Sequence, residues 1–320
     1  MKLSDIYGPV QDDLLKVEQS LDDVVKVDNP ILAQMLEYVL KGNGKRIRSA
    51  LTLLSGKSYD YNLDLLVPMA SATELLHNAT LVHDDIVDNS PLRHGKSTVC
   101  RAWDETKALL LGDYLFAKAG RLVASTGNLR AIKLFAQTLM TISGGELRQT
   151  AFTFDLKHAR EYYYSWIEAK TACLFIMATE SGAVLSQSPD DVIEAMIDYG
   201  HNFGMAFQIV DDVLDFIGEE SVMGKPVGSD LGEGAVTLPA ILFAEAHPDS
   251  NLIGNVIKHK DPDDVALLVE RIRDSTIIDE CLAIATDYCS RACRALEVLP
   301  DNSARQSLSD LANFVVQRRK

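Results

Sequence analysis

Residues 80–88 read Thr-Leu-Val-His-Asp-Asp-Ile-Val-Asp, so Asp84, Asp85 and Asp88 stand inside an apolar run. An acidic cluster of this kind is commonly a solvated helix face. Here Leu81, Val82, Ile86 and Val87 are interleaved with the acids and point to a largely buried segment. A buried carboxylate without a partner is costly, so these groups require a cation. The pattern recurs far downstream. Residues 207–217 read Phe-Gln-Ile-Val-Asp-Asp-Val-Leu-Asp-Phe-Ile, which places Asp211, Asp212 and Asp215 at the same spacing. Two independent Asp-Asp-x-x-Asp clusters in apolar helical settings make a specific signal, where one alone would be weak.

Two carboxylate triplets on facing helices can hold hard cations through oxygen ligands. Mg²⁺ keeps several waters and favours one or two carboxylates together with phosphate oxygens. The pair of clusters therefore predicts a diphosphate gripped between them by Mg²⁺. Lys45, Arg46, Arg48, Arg93, Lys170 and Lys225 could add contacts to such an anion. The first three lie in Lys-Gly-Asn-Gly-Lys-Arg-Ile-Arg, residues 41–48, where a glycine turn opens a helix. Free N–H groups and positive side chains converge at such a turn. A solvated basic loop is the plainer alternative. Apolar helices around the clusters could line a cavity for an oily substrate. A metal-bound diphosphate in a dry cavity is an activated leaving group, and the carbocation it leaves must be kept from water.

The elements that must position these residues are helical nearly throughout, with no convincing two-residue alternation. Periodicity predicts helices over 4–22, 30–40, 63–88, 104–124, 128–150, 158–186 and 189–217, and further amphipathic helix over 250–317. Pro30 suits a first helical turn. The first cluster falls in the last turns of the helix over 63–88, where carboxylates oppose the helix dipole and a cation would offset the cost. The second ends the helix over 189–217 and precedes a glycine-rich stretch, 218–236, that reads as a lid. Gly144-Gly145 suggests close packing or a bend. Lys170 lies in an apolar helix, where a lysine normally snorkels to water, and gains interest only if it faces the acids. Glu74-x-x-His77 resembles half of a di-iron site, but no second Glu-x-x-His exists to complete it. Gly95-Lys96-Ser97 lacks the upstream glycine and strand of a phosphate-binding P-loop. No linker or internal repeat divides the chain, so one all-α domain over residues 1–320 is expected.

Composition narrows the partners. The chain has 320 residues, with 31 Lys and Arg against 46 Asp and Glu, a formal charge of −15 that disfavours nucleic acid. No apolar run reaches the roughly 18 residues that span a bilayer. The first residues lack a signal-peptide core, which predicts a cytoplasmic location with at most transient membrane contact. Cys289 and Cys293, one turn apart, read as core thiols rather than zinc ligands.

These motifs together resemble the trans-isoprenyl diphosphate synthases of the polyprenyl synthetase family. The likeness runs nearly the whole length. It rests on Gly44-Lys45-Arg46-x-Arg48, on Asp84-Asp85-x-x-Asp88 followed by Arg93, on Lys170-Thr171, on Gln208-x-x-Asp211-Asp212-x-x-Asp215 and on Lys225-x-x-Gly228-x-Asp230. The resemblance implies a helical bundle around a deep central cavity, in a homodimer. It also implies Mg²⁺-dependent head-to-tail condensation of isopentenyl diphosphate with an allylic diphosphate, with three Mg²⁺ per site when substrate is bound. Asp84, Asp85, Asp88, Asp211, Asp212 and Asp215 would serve the metals. Arg93, Lys170, Thr171, Gln208 and Lys225 match the allylic side; Lys45, Arg48 and His77 match the isopentenyl side. Released pyrophosphate would take the final proton, and the basic end of the chain resembles a tail that can fold over the isopentenyl site.

Two departures stand out. His94 occupies the place of a second arginine that helps bind isopentenyl diphosphate, which implies a weaker and pH-sensitive hold. Ala235 stands where the family often has lysine, with an effect expected on the lid alone. Four and five positions before Asp84 lie Thr80 and Ala79, where short-chain members often carry an aromatic floor. Their small size predicts a product of geranylgeranyl length or longer; a floor deeper in the cavity is the alternative. A farnesyl diphosphate synthase or a non-catalytic subunit of a heteromeric synthase are the rival readings. The six intact carboxylates weigh against the subunit, and the full second cluster against a terpene cyclase.

Overall fold

A sequence with apolar residues at helical spacing and glycine or proline between the runs can bury its surface only by packing helix on helix. The computed structural model follows that rule and describes residues 2–42, 44–93, 95–151, 156–218 and 227–318. The helices, in chain order, are α1 (Leu3–Ile6), α2 (Gln11–Val25), α3 (Pro30–Leu40), α4 (Ile47–Gly56), α5 (Leu63–Val87), α6 (Val99–Ala102), α7 (Glu105–Ser125), α8 (Leu129–Ala151), α9 (Leu156–Ile167), α10 (Cys173–Leu185), α11 (Asp190–Ile217), α12 (Ser229–Glu233), α13 (Leu238–Ala246), α14 (Leu252–His259), α15 (Pro262–Arg273), α16 (Ile277–Ala295) and α17 (Ser303–Gln317). Local chemistry sets several starts. Asn29 accepts from the N–H groups of Ile31 and Leu32 at 3.0 and 3.2 Å, with Pro30 in the first turn. Asn62 accepts from Asp64 N–H at 3.0 Å to open α5.

The expected helices are present, with three refinements. The N-terminal run is split into α1, a 3₁₀ turn over Gly8–Val10 and α2. The run expected over 158–186 is α9 and α10 joined by a π-helical turn, Glu168–Ala172. The loop over 89–98 contains a short antiparallel hairpin, Leu92–Arg93 against Lys96–Ser97, with Gly95 at φ +75° beside its turn. Period-2 reading could not find strands two residues long.

Helix α10 is apolar almost all round and is buried accordingly, packed between α4 and α11 and touching α5 and α8. Helix α5 packs along α7, and α11 along α16, so the two cluster-bearing helices flank the buried α10. Gly204 makes the approach of α11 tight: a Cβ there would meet the Ala172 Cα at 2.5 Å. That contact sets α11 directly against the π-turn. One apolar cluster, running from Ile6 to Val315, ties these elements together. Cys289 and Cys293 belong to it or pack on it as free thiols. Among the described residues no helix is long and apolar enough to cross a membrane.

Candidate active site

The last turns of α5 carry the first cluster, and the three acids sit in three different settings. Asp85 is buried and accepts from Arg93 Nε at 2.7 Å. The hairpin supplies that arginine, so its geometry closes the end of α5. Asp84 is partly buried and Asp88 is exposed, as is Val87, so the segment is less enclosed than its apolar residues suggested. Burial pushes the Asp84 carboxyl up to about 6; Lys170 and Arg93 oppose that rise, while Glu146 and Asp88 add like charge. Lys170 does face the acids. Its Nζ lies 3.7 Å from Asp84 Oδ2 and 2.9 Å from Glu146 Oε1.

The second cluster is equally unsymmetrical. Asp212 is fully buried, with both oxygens engaged: Tyr163 OH donates at 2.5 Å and Gln208 Nε2 at 2.8 Å. Burial, then the nearby Asp230, raises its pKa well above the carboxylate range despite those two donors. Asp215 is also buried, and accepts from Ser229 Oγ at 2.9 Å and from Asp230 N–H at 3.3 Å. Asp211 alone keeps a substantially accessible side chain, 42% exposed, yet burial still raises its pKa. Of the three acids expected to serve metal on α11, Asp212 and Asp215 are turned toward donors within the protein, whereas Asp211 keeps an accessible side chain.

Lys170 and Thr171 bridge the two clusters. Lys170 reaches Asp84, while Thr171 Oγ1 donates to Gln208 Oε1 at 2.6 Å, and Gln208 donates onward to Asp212. Both residues lie on the π-turn, a device that recurs at functional sites.

The basic residues divide in a way the sequence did not reveal. Arg46 begins α4 in the left-handed region at φ +49°. Its guanidinium is held by Glu18 at 2.6 and 3.1 Å and stands 3.6 Å from Glu74. Glu74 also accepts from Ser49 N–H and Oγ, both at 3.1 Å. Arg46 and Glu74 therefore build the turn rather than offer themselves to a ligand. Arg48 lies over the Phe175 ring, 4.5 Å from its centroid, and its buried Nε has no hydrogen-bond partner among the described residues. An orphaned guanidinium donor is a strong sign of an anion site. Arg318, just past α17, lies 4.1 Å over the Phe207 ring, with Nη2 3.0 Å from Asp211 Oδ1. Phe175 and Phe207 are themselves in contact at 5.1 Å. Burial and Arg318 hold the Lys45 pKa down, against the pull of Asp211. Lys45, Arg48 and Arg318 thus surround one side of Asp211.

His77 is partly buried on α5, seven residues before Asp84 and so on the same face. Thr80 and Ala79 are buried. His94, Lys225, Arg319 and Lys320 lie outside the described residues. Sequence reasoning missed Glu146 and Tyr163, single polar residues in helices with no spacing signal to flag them; Arg318 was singled out only as part of the basic end of the chain, without its place beside Asp211.

The carboxylate-rich donor set, with Asp84 crowded by Glu146 and Asp88, fits a hard divalent cation. The asymmetry of the second cluster has a measurable consequence. Asp211→Asn is expected to lower activity strongly and leave the melting temperature almost unchanged. Asp212→Ala strands the buried Tyr163 hydroxyl and is expected to cost about 1–3 kcal/mol of stability as well. Urea unfolding of both variants, with activity assayed in parallel, checks the contrast.

Residues 29–273 match the family model described as Polyprenyl synthetase. The chain is 35% identical over 318 residues to heptaprenyl diphosphate synthase component 2 of Geobacillus stearothermophilus, covering 99% of each. It is 31% identical to octaprenyl diphosphate synthase of Haemophilus influenzae, covering 99% of this chain and 98% of that one. Among solved structures, a polyprenyl synthase from Caulobacter crescentus complexed with calcium and isoprenyl diphosphate superposes with a TM-score of 0.94 at 34% identity, over 100% of this chain and 98% of the other. Heptaprenyl diphosphate synthase from Staphylococcus aureus gives 0.91 at 33% identity, over 100% and 99%.

Proposed function

Because this chain belongs to the polyprenyl synthetase family, we propose that its two acidic helix ends grip one allylic diphosphate between them, while Lys45, Arg48 and His77 take isopentenyl diphosphate. The chain is a prenyltransferase. It joins isopentenyl diphosphate head to tail to an allylic diphosphate, giving an all-trans polyprenyl diphosphate of geranylgeranyl length or longer and releasing pyrophosphate. The family is Mg²⁺-dependent.

The observation that carries the residue assignment is the Lys170-Thr171 bridge. One dipeptide touches Asp84 of the first cluster and, through Gln208, Asp212 of the second. Asp84, Asp88 and Asp211 are the acids best placed to hold metal, with three ions in the loaded site. Among the described residues no three His, Cys, Asp or Glu side chains stand close enough to cage an ion by themselves. Diphosphate oxygens would therefore complete each shell. Bound Mg²⁺ supplies Lewis-acid neutralisation of the departing diphosphate.

The protein groups divide the remaining work. Lys170 and Arg93 add positive charge where the diphosphate leaves, and Thr171 and Gln208 fix its orientation; Lys225 matches the same side. Asp85 holds Arg93, and Asp212 holds Gln208, so these two acids act by positioning. As the allylic C–O bond breaks, its electron pair leaves with pyrophosphate. The isopentenyl double bond, positioned by Lys45, Arg48 and His77, attacks the allylic cation to form the new C–C bond. The proton then lost passes to pyrophosphate. Arg318, beside Lys45 and Asp211, supports a C-terminal segment that closes over the isopentenyl side. His94 would add a weaker, pH-sensitive contact there.

We assign the working form as a homodimer in the cytoplasm. Exposed Leu109 and Leu110 on α7, with Leu129, Met140 and Leu147 on α8, support a partner surface. The test incubates the chain alone with labelled isopentenyl diphosphate, Mg²⁺ and allylic primers of increasing length, then sizes the products. A product of four or more isoprene units, lost with a chelator, is expected. No product with any primer would overturn the reading and point to a chain that requires a companion, as the name component 2 of its relatives indicates for them.

A further inference from the structure

We propose that Glu146 is a positioning residue that holds the Lys170 ammonium off Asp84 and over the diphosphate, an inference that rests on the reading above. Glu146 lies on α8 and Lys170 on the π-turn, so the two meet only if these elements approach closely. Gly145 permits it: a Cβ there would sit 2.8 Å from the Ala169 Cβ, whereas a Cβ on Gly144 would touch nothing within 4 Å. Of the Gly144-Gly145 pair, only the second makes the close contact. The next residue then places its carboxylate 2.9 Å from Lys170 Nζ. That buried Oε1 has no partner with hydrogen-bond geometry among the described residues, so Lys170 meets it as an ion pair, and the side chain is only 17% exposed. A glutamate so enclosed, with a single cation at that oxygen, is a specific arrangement rather than a surface pair.

The distances show what the arrangement achieves. Lys170 has a flexible four-carbon stem and two acids within reach. Without Glu146 it would settle directly on Asp84, the acid best placed to meet metal. With Glu146 present, Nζ stays 3.7 Å from Asp84, beyond a direct hydrogen bond. The Trp166 ring, 5.9 Å from Nζ, lies on a further side and is itself fixed by a 2.9 Å hydrogen bond from its Nε1 to Gln149 Oε1. Glu146 and Gln149, one turn apart on α8, thus anchor the lysine and the ring beside it. Asp84 keeps its oxygens for metal, and the ammonium is aimed at the space between the clusters.

The test compares wild type with Glu146→Gln, Lys170→Ala and the double variant. Glu146→Gln is expected to lower kcat by about 10–100-fold, the range seen when a supporting residue behind a metal or its ligand is removed, with KM for the primer nearly unchanged. Titration of Mn²⁺ in the presence of inorganic pyrophosphate, followed by electron paramagnetic resonance, should show weaker binding in Glu146→Gln, because the released lysine competes for Asp84. In the Lys170→Ala background the same change should have almost no further effect. Unchanged kcat and Mn²⁺ affinity in Glu146→Gln, or full additivity in the double variant, would overturn the proposal. If Glu146→Gln does not fold, Glu146→Met repeats the comparison without the charge. Wild-type protein that makes no product would instead sink the underlying reading.

Discussion

Replacing Asp84 by asparagine is expected to cut turnover by roughly 10²–10³-fold, the scale set by loss of one well-placed electrostatic group, and to make the metal-free protein more stable. The two effects share one cause. Folding buries the Asp84 carboxylate among Glu146 and Asp88, and Lys170 only partly compensates, so its pKa rises from 3.8 to about 6. Its side chain is only 15% exposed, so solvent screening is slight. The ionised form then costs the fold on the order of 3 kcal/mol at pH 7. Below about pH 4 the carboxyl is protonated in both states and the cost is absent. As pH rises from 4 through 6 the unfolded chain ionises first and stability falls, and above that the full cost remains. The neutral amide of Asp84→Asn would avoid it. Melting curves in chelator should therefore favour Asp84→Asn by a few degrees at pH 7.5, with the gap closing toward pH 4. A variant no more stable than wild type at pH 7.5, or equally favoured at both pH values, would refute the account. On the proposed role of Asp84, the native protein retains this unfavourable charge for catalysis, a trade between stability and activity.

An aromatic residue at position 80 is expected to shorten the product by at least one isoprene unit. Thr80 lies one turn before Asp84 on the same face of α5 and retains 7% exposure, whereas Ala79 retains none. On the proposed reading that the product grows along this face, the residue with some open surface is the one from which a larger side chain can extend; a residue with none is packed on all sides. Thr80→Phe would therefore project a ring into the path of the growing chain, about 6 Å along the helix axis from Asp84. Ala79→Tyr would instead overfill the core and is expected to cost about 1–3 kcal/mol of stability before it alters chain length. Product sizing of Thr80→Phe checks the first statement. An unchanged product would place the floor deeper in the bundle and leave both residues out of the measuring role.

Helix identity and the acidic clusters were legible in the sequence because both are local. Apolar spacing forecast α3, α5, α7, α8 and α11 to within a residue or so at either end, since each must bury one face. The π-turn was not legible, because it differs from α-helix by a single wider turn that no periodicity distinguishes. The division of labour within the clusters was equally hidden. Asp84, Asp85 and Asp88 look alike on paper, as do Asp211, Asp212 and Asp215.

Which acid is open depends on donors that the fold brings to it: Arg93 to Asp85, Tyr163 and Gln208 to Asp212, Ser229 to Asp215. The same holds for cations: Glu18 engages Arg46, whereas Arg318 lies beside Asp211. The sequence by itself determined an all-α chain with two carboxylate clusters and basic residues matched to a diphosphate, because residue type and helical spacing suffice for that. Only the tertiary structure decided which of those charges are taken up by partners within the fold and which stay accessible. A buried charge is committed to its nearest partner, and that partner can lie anywhere along the chain: Tyr163 reaches Asp212 from another helix, and Arg318 reaches Asp211 from the far end of the sequence.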